Sequence, residues 1–483
     1  MNKNLLTTLK TSTLVIGGAL MAQSALASGY HFGSQSVNAQ STANASTAEA
    51  ADPSTVFHNP AGLTQLEGTQ ITVNVNVVAP SVKYENAEAY YPGMPGVQQP
   101  VSGATSGSID PGITIVPHIY ASHKLNDRVT LGVGTYVPFG SGTEYDHDSV
   151  LRYNLNKLGL QSMALQPTAA FKINDQHSVA AGLVLQHTKA ELRQYANFGA
   201  ALAAGGLPGQ GNGTGDGYAK VKGDDWGVGV NLAWLWNIND QARMGVNYRS
   251  HIKHTLKGDA KWQLESSVFS HPMFGTPATN AVRANGYVAE EDASVKIVTP
   301  ESLSVHGMYK LNPKWNVYGD LTWTRHSRFN RAELNYAHNK LVANPVNGAT
   351  TTSDQTILNP NWRNTWRVAV GASYQVSDPL QLRFGWAYDQ SPVKSSEYRM
   401  STLPDANRMW FSVGGKYDFN QNHSLNLAYT YIHINKSRAQ VNGWCGAAAM
   451  GPNAQACVSS RTNGSANYKA HSHLLGMQYT YKF

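Results

Sequence analysis

The sequence predicts an all-β protein, more narrowly a transmembrane antiparallel β-barrel of about fourteen strands. Runs of alternating apolar and polar residues recur along most of the chain, as strands with one lipid-facing side require. Tight turns of Asn, Asp and Pro alternate with longer loops rich in Gly, Ser and Asn. No apolar run approaches the roughly 20 residues of a spanning helix, and the mean hydropathy is −0.35. A helical membrane protein is therefore excluded.

Residues 1–27 have the features of a secretory signal peptide. Lys3 and Lys10 give a basic start, an apolar stretch covers 14–22, and Ala25-Leu26-Ala27 is a small-x-small cleavage site. The alternative, a membrane anchor, would need a longer apolar run. We exclude this segment from the fold.

Residues 28–66 do not alternate and are rich in Ala, Ser, Thr and Asn. The segment ends in Asp52-Pro53 and Asn59-Pro60-Ala61-Gly62, and the prolines fix turns there. A compact, non-strand unit is expected to precede the barrel at 67–483.

The predicted strands are even in number, as bacterial barrels require, so both termini lie on one side. Short turns mark that side as periplasmic, and the long loops then face outward. The strands are centred on residues 70–80, 112–123, 128–139, 161–173, 177–195, 225–237, 242–257, 294–311, 314–329, 363–376, 380–390, 408–419, 423–436 and 467–483.

Alternation also assigns the two faces of each strand. In the segment 226–234, Trp226, Val228, Val230, Leu232 and Trp234 form one apolar face, which we expect to meet lipid. The chain ends on Phe483 with apolar or aromatic residues at alternate preceding positions. That ending resembles the assembly signal of outer-membrane barrels, so the barrel assembly machinery is an expected partner.

Six basic residues fall on inward positions by the same parity. There they avoid lipid and could attract an anionic solute, or they could pair with lumen carboxylates such as Asp225, Asp320 and Asp389. The net charge of +7 contains no basic run, which argues against nucleic acid. The inward cations are Arg243, Arg249, Arg367, Arg383, Arg408 and Lys416.

The third strand contains three residues that weaken regular pairing: Gly132, Gly134 and Pro138. They predict a bulge or kink, and a kink in a closed wall is a candidate side exit. The glycines could instead make room for a plug.

Cys445 and Cys457 lie together in one predicted outer loop and are the two cysteines of the chain. Export favours a disulfide, and two free thiols are the alternative.

Ser304 and His306 share one strand face, a spacing that could serve the nucleophile and base of an enzyme. They point inward, away from lipid, and the sequence shows no convincing third member. No catalytic residue, metal site or cofactor is predicted.

The ordered set of motifs resembles the long-chain fatty acid transporter (FadL-like) family of Gram-negative outer membranes. The motifs cover essentially all of the mature chain, from 28 to 410. They are Ser28-Gly29-Tyr30-His31-Phe32, Asn59-Pro60-Ala61-Gly62, Trp226-Gly227-Val228-Gly229, Val246-Asn247-Tyr248-Arg249-Ser250, Thr299-Pro300-Glu301, Asp389-Gln390-Ser391-Pro392-Val393 and Leu403-Pro404-Asp405-Ala406-Asn407-Arg408-Met409-Trp410.

The resemblance implies a fourteen-stranded barrel with an N-terminal hatch inside the lumen and lateral release through a kinked third strand. Tyr30 matches an aromatic hatch residue that contacts substrate, with Phe32 beside it, and Asn59-Pro60-Ala61 matches the hatch motif. Arg193 and Arg363 fall near the family's basic head-group positions without matching them, and Arg367 and Arg408 are further candidates.

The expected function is passive uptake of long-chain fatty acids or similar hydrophobic compounds across the outer membrane. An importer of aromatic hydrocarbons would share every motif, and a general diffusion porin would lack the hatch. Expected partners are the hydrophobic ligand, outer-membrane lipids and lipopolysaccharide, with the protein a monomer. The segment 198–207 is a candidate capture groove or a surface loop.

Overall fold

A computed structural model of the chain describes residues 29–90, 99–210, 212–343, 350–441 and 463–483. The predicted signal peptide, Ser28, Cys445 and Cys457 lie outside the described residues. The described strands are β1 (Thr69–Tyr90), β2 (Gly107–Ser108), β3 (Thr114–Lys124), β4 (Val129–Tyr136), β5 (Gly140–Glu144), β6 (Leu155–Lys172), β7 (His177–Asn197), β8 (Asp216–Asn237), β9 (Ala242–Arg249), β10 (Ile252–Gln263), β11 (Glu290–Thr299), β12 (Ser302–Asn312), β13 (Trp315–Thr324), β14 (Ala332–Ala343), β15 (Thr350–Leu358), β16 (Thr365–Ser377), β17 (Leu380–Asp389), β18 (Arg408–Asp418), β19 (His423–Val441) and β20 (Asn463–Lys482).

The strands close into one antiparallel barrel. The first strand, β1, pairs with the last, β20, from Gln70 opposite Lys482 outward. The ring runs β1-β3-β4-β6-β7-β8-β9-β12-β13-β16-β17-β18-β19-β20, which makes fourteen strands. Every strand of the ring has a neighbour on both sides over at least part of its length, so no strand is left as a free edge throughout. The predicted barrel is confirmed.

The wall departs from the prediction on the side of the long loops. We expected residues 330–362 to form a loop, but β14 and β15 pair with each other there and extend the wall. Four neighbouring strands of the ring, β9, β12, β13 and β16, are interrupted at one level. Beyond the interruption the wall continues as β10, β11, β14 and β15, of which β10 pairs with β11 and β11 pairs with β14. Alternation continues across these breaks only in part, which is why the sequence underestimated strand length.

The outer face carries the apolar belt that alternation predicts. Trp226 is 62% exposed, Val228 61% and Leu475 57%, values typical of side chains that meet a nonaqueous solvent rather than a protein core. No helix among the described residues is long and apolar enough to cross a membrane.

The N-terminal segment lies inside the barrel as a plug, the hatch. It is built of four short helical turns at Val37–Gln40, Ser46–Glu49, Thr55–His58 and Pro60–Gln65. Small residues let it pack: Ala45, Ala48 and Ala61 are fully buried against the wall.

Wall cations hold the hatch in place. The carboxylate of Glu49 pairs with Arg383 at 2.7 Å, and Arg243 donates to the carbonyl of Glu49 at 2.8 Å. Arg383 is 1% exposed, so this ion pair also compensates a charge that would be costly to bury alone. Arg249 and Arg367 also donate to hatch carbonyls, of Phe57 at 2.9 Å and of Ala43 at 2.7 Å, so four of the six inward cations hold the hatch.

Candidate functional site

An apolar cavity lies inside the barrel, toward the long loops. It is formed by inward side chains of the strand ends together with residues of the 398–403 region. Its walls can replace water around an apolar ligand, which is worth about 0.8 kcal/mol per buried CH₂. The lining residues are Tyr30, Ser141, Leu158, Leu160, Ala190, Leu192, Leu256, Val295, Ile297, Phe329, Ala332, Leu358, Met400 and Leu403.

An aromatic partition closes the cavity on the side of the hatch. The Tyr30 ring stacks on Trp362 with centroids 5.4 Å apart and meets Phe329 and Phe139 edge-on at 5.8 and 5.6 Å. The hydroxyl of Tyr30 donates to the carbonyl of Val298 at 3.4 Å. Tyr30 therefore forms part of the wall of the apolar cavity.

A second, polar chamber lies between this partition and the hatch. The residue after Tyr30, His31, already lines it, so the two spaces are separated by the thickness of the partition. Arg249, Arg367, Asp320 and Asp389 bring charge to its wall. The lumen therefore offers an apolar space followed by a polar one.

Asn59 anchors the hatch to the wall through a directional chain of hydrogen bonds. Its Nδ2 donates to the carbonyl of Trp234 at 3.1 Å and to Nε2 of His306 at 2.8 Å. A Cβ at Gly245 would lie 2.4 Å from Nδ2 of Asn59 and 2.4 Å from Nε2 of His306. Glycine at this position therefore leaves room for the Asn59 side chain. Oδ1 of Asn59 accepts from the amide of Ala61 at 3.1 Å, which caps the turn beginning at Pro60.

The same chain decides the role of Ser304. With Nε2 of His306 accepting from Asn59, Nδ1 carries the proton and donates to Ser304 Oγ at 2.9 Å. Ser304 in turn donates to Asp320 at 3.0 Å. The sequence missed Asp320 as a third member, but a serine that accepts from histidine is not activated as a nucleophile.

The third strand of the ring consists of β4 and, farther along the chain, β5. Between them, at residues 137–139, the chain leaves the barrel wall. Among the described strands, β3 pairs with β4 only from Ile119 to Lys124, so its outer half has a neighbour on one side. The segment that leaves the wall pairs with the hatch instead, since the Phe32 amide donates to the Pro138 carbonyl at 2.9 Å and the Gly140 amide donates to the Tyr30 carbonyl at 2.8 Å.

The two glycines of this strand face inward. A Cβ at Gly132 would lie 2.7 Å from Leu63 of the hatch, and one at Gly134 would lie 2.5 Å from Tyr120. These contacts favour the alternative that the glycines make room for the plug, whereas the departure from the wall begins beyond Tyr136.

The other predicted binding residues are dispersed. Arg193 is engaged by Glu144 at 3.0 Å, and Arg363 donates to the Ser391 carbonyl at 3.1 Å. Buried Arg408 pairs with Asp405, and Phe32 packs beneath the partition against His118. None of these four lines either space, whereas Tyr30 lines the cavity and Arg367 the chamber.

The cavity walls escaped the sequence argument because they come from distant segments. One signal was present in the sequence. Inward positions nearer the middle of the barrel carry polar residues such as Gln166 and Asn231, whereas inward positions near the strand ends carry Leu160, Leu192 and Leu256. An apolar residue on the lumen face of a polar-filled barrel indicates a ligand space rather than lipid contact.

Comparison with known proteins identifies relatives over the whole chain. An outer membrane protein of Neisseria meningitidis serogroup B is 53% identical over 486 residues, covering 98% of this chain and 99% of that protein. The long-chain fatty acid transport protein of Escherichia coli O6:H1 is 26% identical over 439 residues, covering 88% and 91%.

Solved structures share the fold. A Pseudomonas aeruginosa FadL homologue superposes with a TM-score of 0.76 at 21% identity, covering 94% of this chain and 100% of that one. The Pseudomonas putida toluene transporter TodX gives a TM-score of 0.60 at 17% identity, covering 89% and 94%.

The family model described as outer membrane protein transport protein (OMPP1/FadL/TodX) matches residues 18–483, and the strands, the plug and the outer apolar belt agree with it. The protein is therefore located in the cell outer membrane, and its chain belongs to the OMPP1/FadL/TodX family of outer membrane transport proteins.

Proposed function

We propose that this protein imports long-chain fatty acids or similar hydrophobic compounds by passive transport through its plugged barrel. The observation that carries the proposal is the apolar cavity closed by Tyr30. A water-filled pore offers an apolar solute no favourable partition, whereas this cavity does. It acts as a transporter and not as an enzyme, in keeping with the bonding of Ser304 to His306 and Asp320.

Release is proposed to be lateral, beside Pro138 of the third strand, where the wall is interrupted just beyond the strand segment that contains Gly132 and Gly134. Support comes from the unpaired outer half of β3, beside which Ile113 is 73% and Ile115 57% exposed. A solute that leaves beside these side chains enters the membrane without crossing the periplasmic water layer. Arg193, Arg363, Arg367 and Arg408 remain candidate contacts for a head group.

The proposed organisation is a signal peptide removed after Ala27, a hatch over 28–66 and a barrel over 67–483. Both termini then face the periplasm. The proposed partners are the hydrophobic ligand, outer-membrane lipids and lipopolysaccharide, and the barrel assembly machinery, and the working form is a monomer.

Filling the cavity tests the proposal. Ala332 is buried in the lining, so Ala332→Trp should abolish oleate binding and slow oleate uptake by cells. Val228→Trp adds the same side chain on the lipid face, where Val228 is 61% exposed, and is the matched control. Oleate binding that survives in a folded Ala332→Trp protein would contradict the proposal.

An importer of aromatic hydrocarbons is the second candidate, because the cavity lining contains no charged side chain. A neutral hydrocarbon bound in the cavity would leave no charged group of the lining without a partner. Lipid extracted from the purified protein and identified by mass spectrometry, together with toluene uptake, separates the two candidates. A general porin is disfavoured because the hatch fills the lumen.

A further inference from the structure

A cluster of lysines lies on the outer face of the barrel, apart from the lumen. Lys253, Lys257 and Lys296 are exposed, and none of them forms an ion pair or a side-chain hydrogen bond with another described residue. Lys296 lies opposite Thr255 in the register of β10 and β11, so Lys253 and Lys257 are its two diagonal neighbours on the same face. Diagonal neighbours in a sheet lie about 7–8 Å apart. Three like charges therefore share a small area of the wall.

A fourth lysine joins this cluster from the neighbouring strands. Asp224 of β8 lies opposite Lys189 of β7 and also opposite Lys257 of β10, and both lysines are exposed. The carboxylate of Asp224 accepts from Nε2 of His187 at 2.8 Å, whereas it forms no ion pair with either lysine. The four lysines thus enclose one carboxylate and keep a net positive charge. We call Lys189, Lys253, Lys257 and Lys296 the lysine patch.

The nearby carboxylates do not neutralise the patch. Glu191 is surrounded by three other lysines at 3.3, 3.4 and 3.7 Å. Asp259 lies 3.6 Å from Lys261. Asp292 lies opposite Asp259, so the two acids repel each other there. Even when Asp224 and Asp292 are both counted, the four lysines of the patch keep an excess of positive charge over the described carboxylates beside them.

The patch lies where the apolar belt ends. Along the outer face of β8, the side chains of Leu232, Val230, Val228 and Trp226 are all exposed. The next outward residue toward the long loops is Asp224, where the charged surface begins. Because tryptophan rings collect at the membrane–water interface, Trp226 marks the level of the lipid head groups on the side of the long loops. The lysine patch is therefore beside the head groups of the outer leaflet.

We propose that the lysine patch binds the phosphates of an outer-leaflet glycolipid whose acyl chains lie against the apolar belt. Ammonium groups are point charges that suit phosphate oxygens, and their stems can lie along apolar surface while the charge reaches the head groups. An occupant beside the belt has to present anionic groups and apolar chains together, which a phosphorylated lipid does and a soluble anion does not. The inference assigns a surface to the lipopolysaccharide of the proposed function and rests on that function only for the outward direction of the long loops.

The test compares two forms of one lipid, diphosphorylated and dephosphorylated lipid A, binding to the purified full-length protein in a neutral detergent. Lys257→Gln combined with Lys296→Gln should weaken binding of the diphosphorylated form about 30-fold, since each lysine beside an anionic lipid surface contributes about fivefold. Binding of the dephosphorylated form should not change, because only its acyl chains contact the protein. Lys310→Gln combined with Lys314→Gln is the matched control, because it removes two exposed lysines beside a periplasmic-type turn.

Folding is checked by heat-dependent mobility on gels, and Lys189→Gln combined with Lys253→Gln is a second pair should the first fail to assemble. Equal binding of the two lipid A forms, or equal weakening by the control pair, would overturn the site. Displacement of lipid A by an equal concentration of inorganic phosphate would indicate a soluble-anion site and overturn the lipid assignment. Oleate binding should be unchanged in every variant, so failure of the lysine patch leaves the proposed import intact. A wild-type protein that binds lipid A but not oleate would refute the import alone.

Discussion

Replacing Asn59 by Ala tests whether one side chain holds the hatch in its docked position. Asn59 is fully buried, and its amide joins three partners: the Ala61 amide, the Trp234 carbonyl and the His306 ring. Alanine keeps the backbone and removes all three hydrogen bonds. The barrel wall pairs without this side chain, so the change is expected to act on the hatch alone.

The magnitude follows from the groups left behind. Loss of a side-chain cap costs about 1 kcal/mol. Nε2 of His306 becomes a buried acceptor without a donor, which costs about 1–3 kcal/mol more. Docking of the hatch should therefore weaken by about 2–4 kcal/mol, and the amides of residues 55–65 should exchange with solvent at least about 30-fold faster.

Hydrogen exchange followed by mass spectrometry measures this in the folded protein, and oleate uptake by cells measures the consequence. Uptake should slow, because the hatch no longer returns to one position. Asn420→Ala is a matched control: Asn420 caps a periplasmic-type turn, accepting from Asn422 and His423 at 2.8 and 3.0 Å. Unchanged exchange, or normal uptake with the barrel assembled, would refute the reasoning.

Three further predictions concern the loop, the wall and pH. Cys445 and Cys457 should resist alkylation in unreduced, denatured protein, and full alkylation would rule out their disulfide. Deleting one residue within 137–139 should restore regular pairing and block uptake without abolishing ligand binding, so unimpaired uptake would indicate an exit through the barrel end. Burial lowers the pKa of His31 to about 4 and that of His58 to about 3, so the undocked hatch binds more protons below pH 6.5 and docking weakens as pH falls. Hydrogen exchange of the hatch amides, corrected for the intrinsic exchange rate, should show that docking of the hatch weakens by about 1 kcal/mol per histidine between pH 7.5 and 5. This is less than full burial would give, because both rings border the chamber. Docking that does not change with pH would contradict the prediction.

The wall could be predicted because its signals are local. Alternation has a period of two, and an Asn such as Asn126 or Asn174 caps its own turn through backbone amides two and three residues on. All fourteen predicted strands are present in the ring. Their outer ends were underestimated because those segments, such as 216–224, face water and other loops, where alternation is no longer enforced by lipid.

The site could be predicted only where one residue carries the chemistry. Tyr30 and Arg367 were named and line the two spaces, but the pairing of Arg367 with Trp410 joins residues 43 positions apart in sequence through strand register alone. Asp320 was likewise named as a lumen carboxylate, and its bond to Ser304 depends on β12 and β13 aligning His306 opposite Asp320. Such juxtapositions are properties of the closed ring and leave no local pattern.

The hatch segment at 30–32 gives the transport step its physical coupling. The backbone of Tyr30 accepts from Gly140 and that of Phe32 donates to Pro138, while the Tyr30 side chain closes the apolar cavity. A bound tail of many CH₂ groups is held too strongly to leave unless its surroundings change. Displacing this one segment would break the two hydrogen bonds that hold residues 138–140 beside the hatch and would withdraw Tyr30 from the cavity. If release is lateral, as proposed, lower affinity and opening of the exit would follow from the same movement, without a second conformational change.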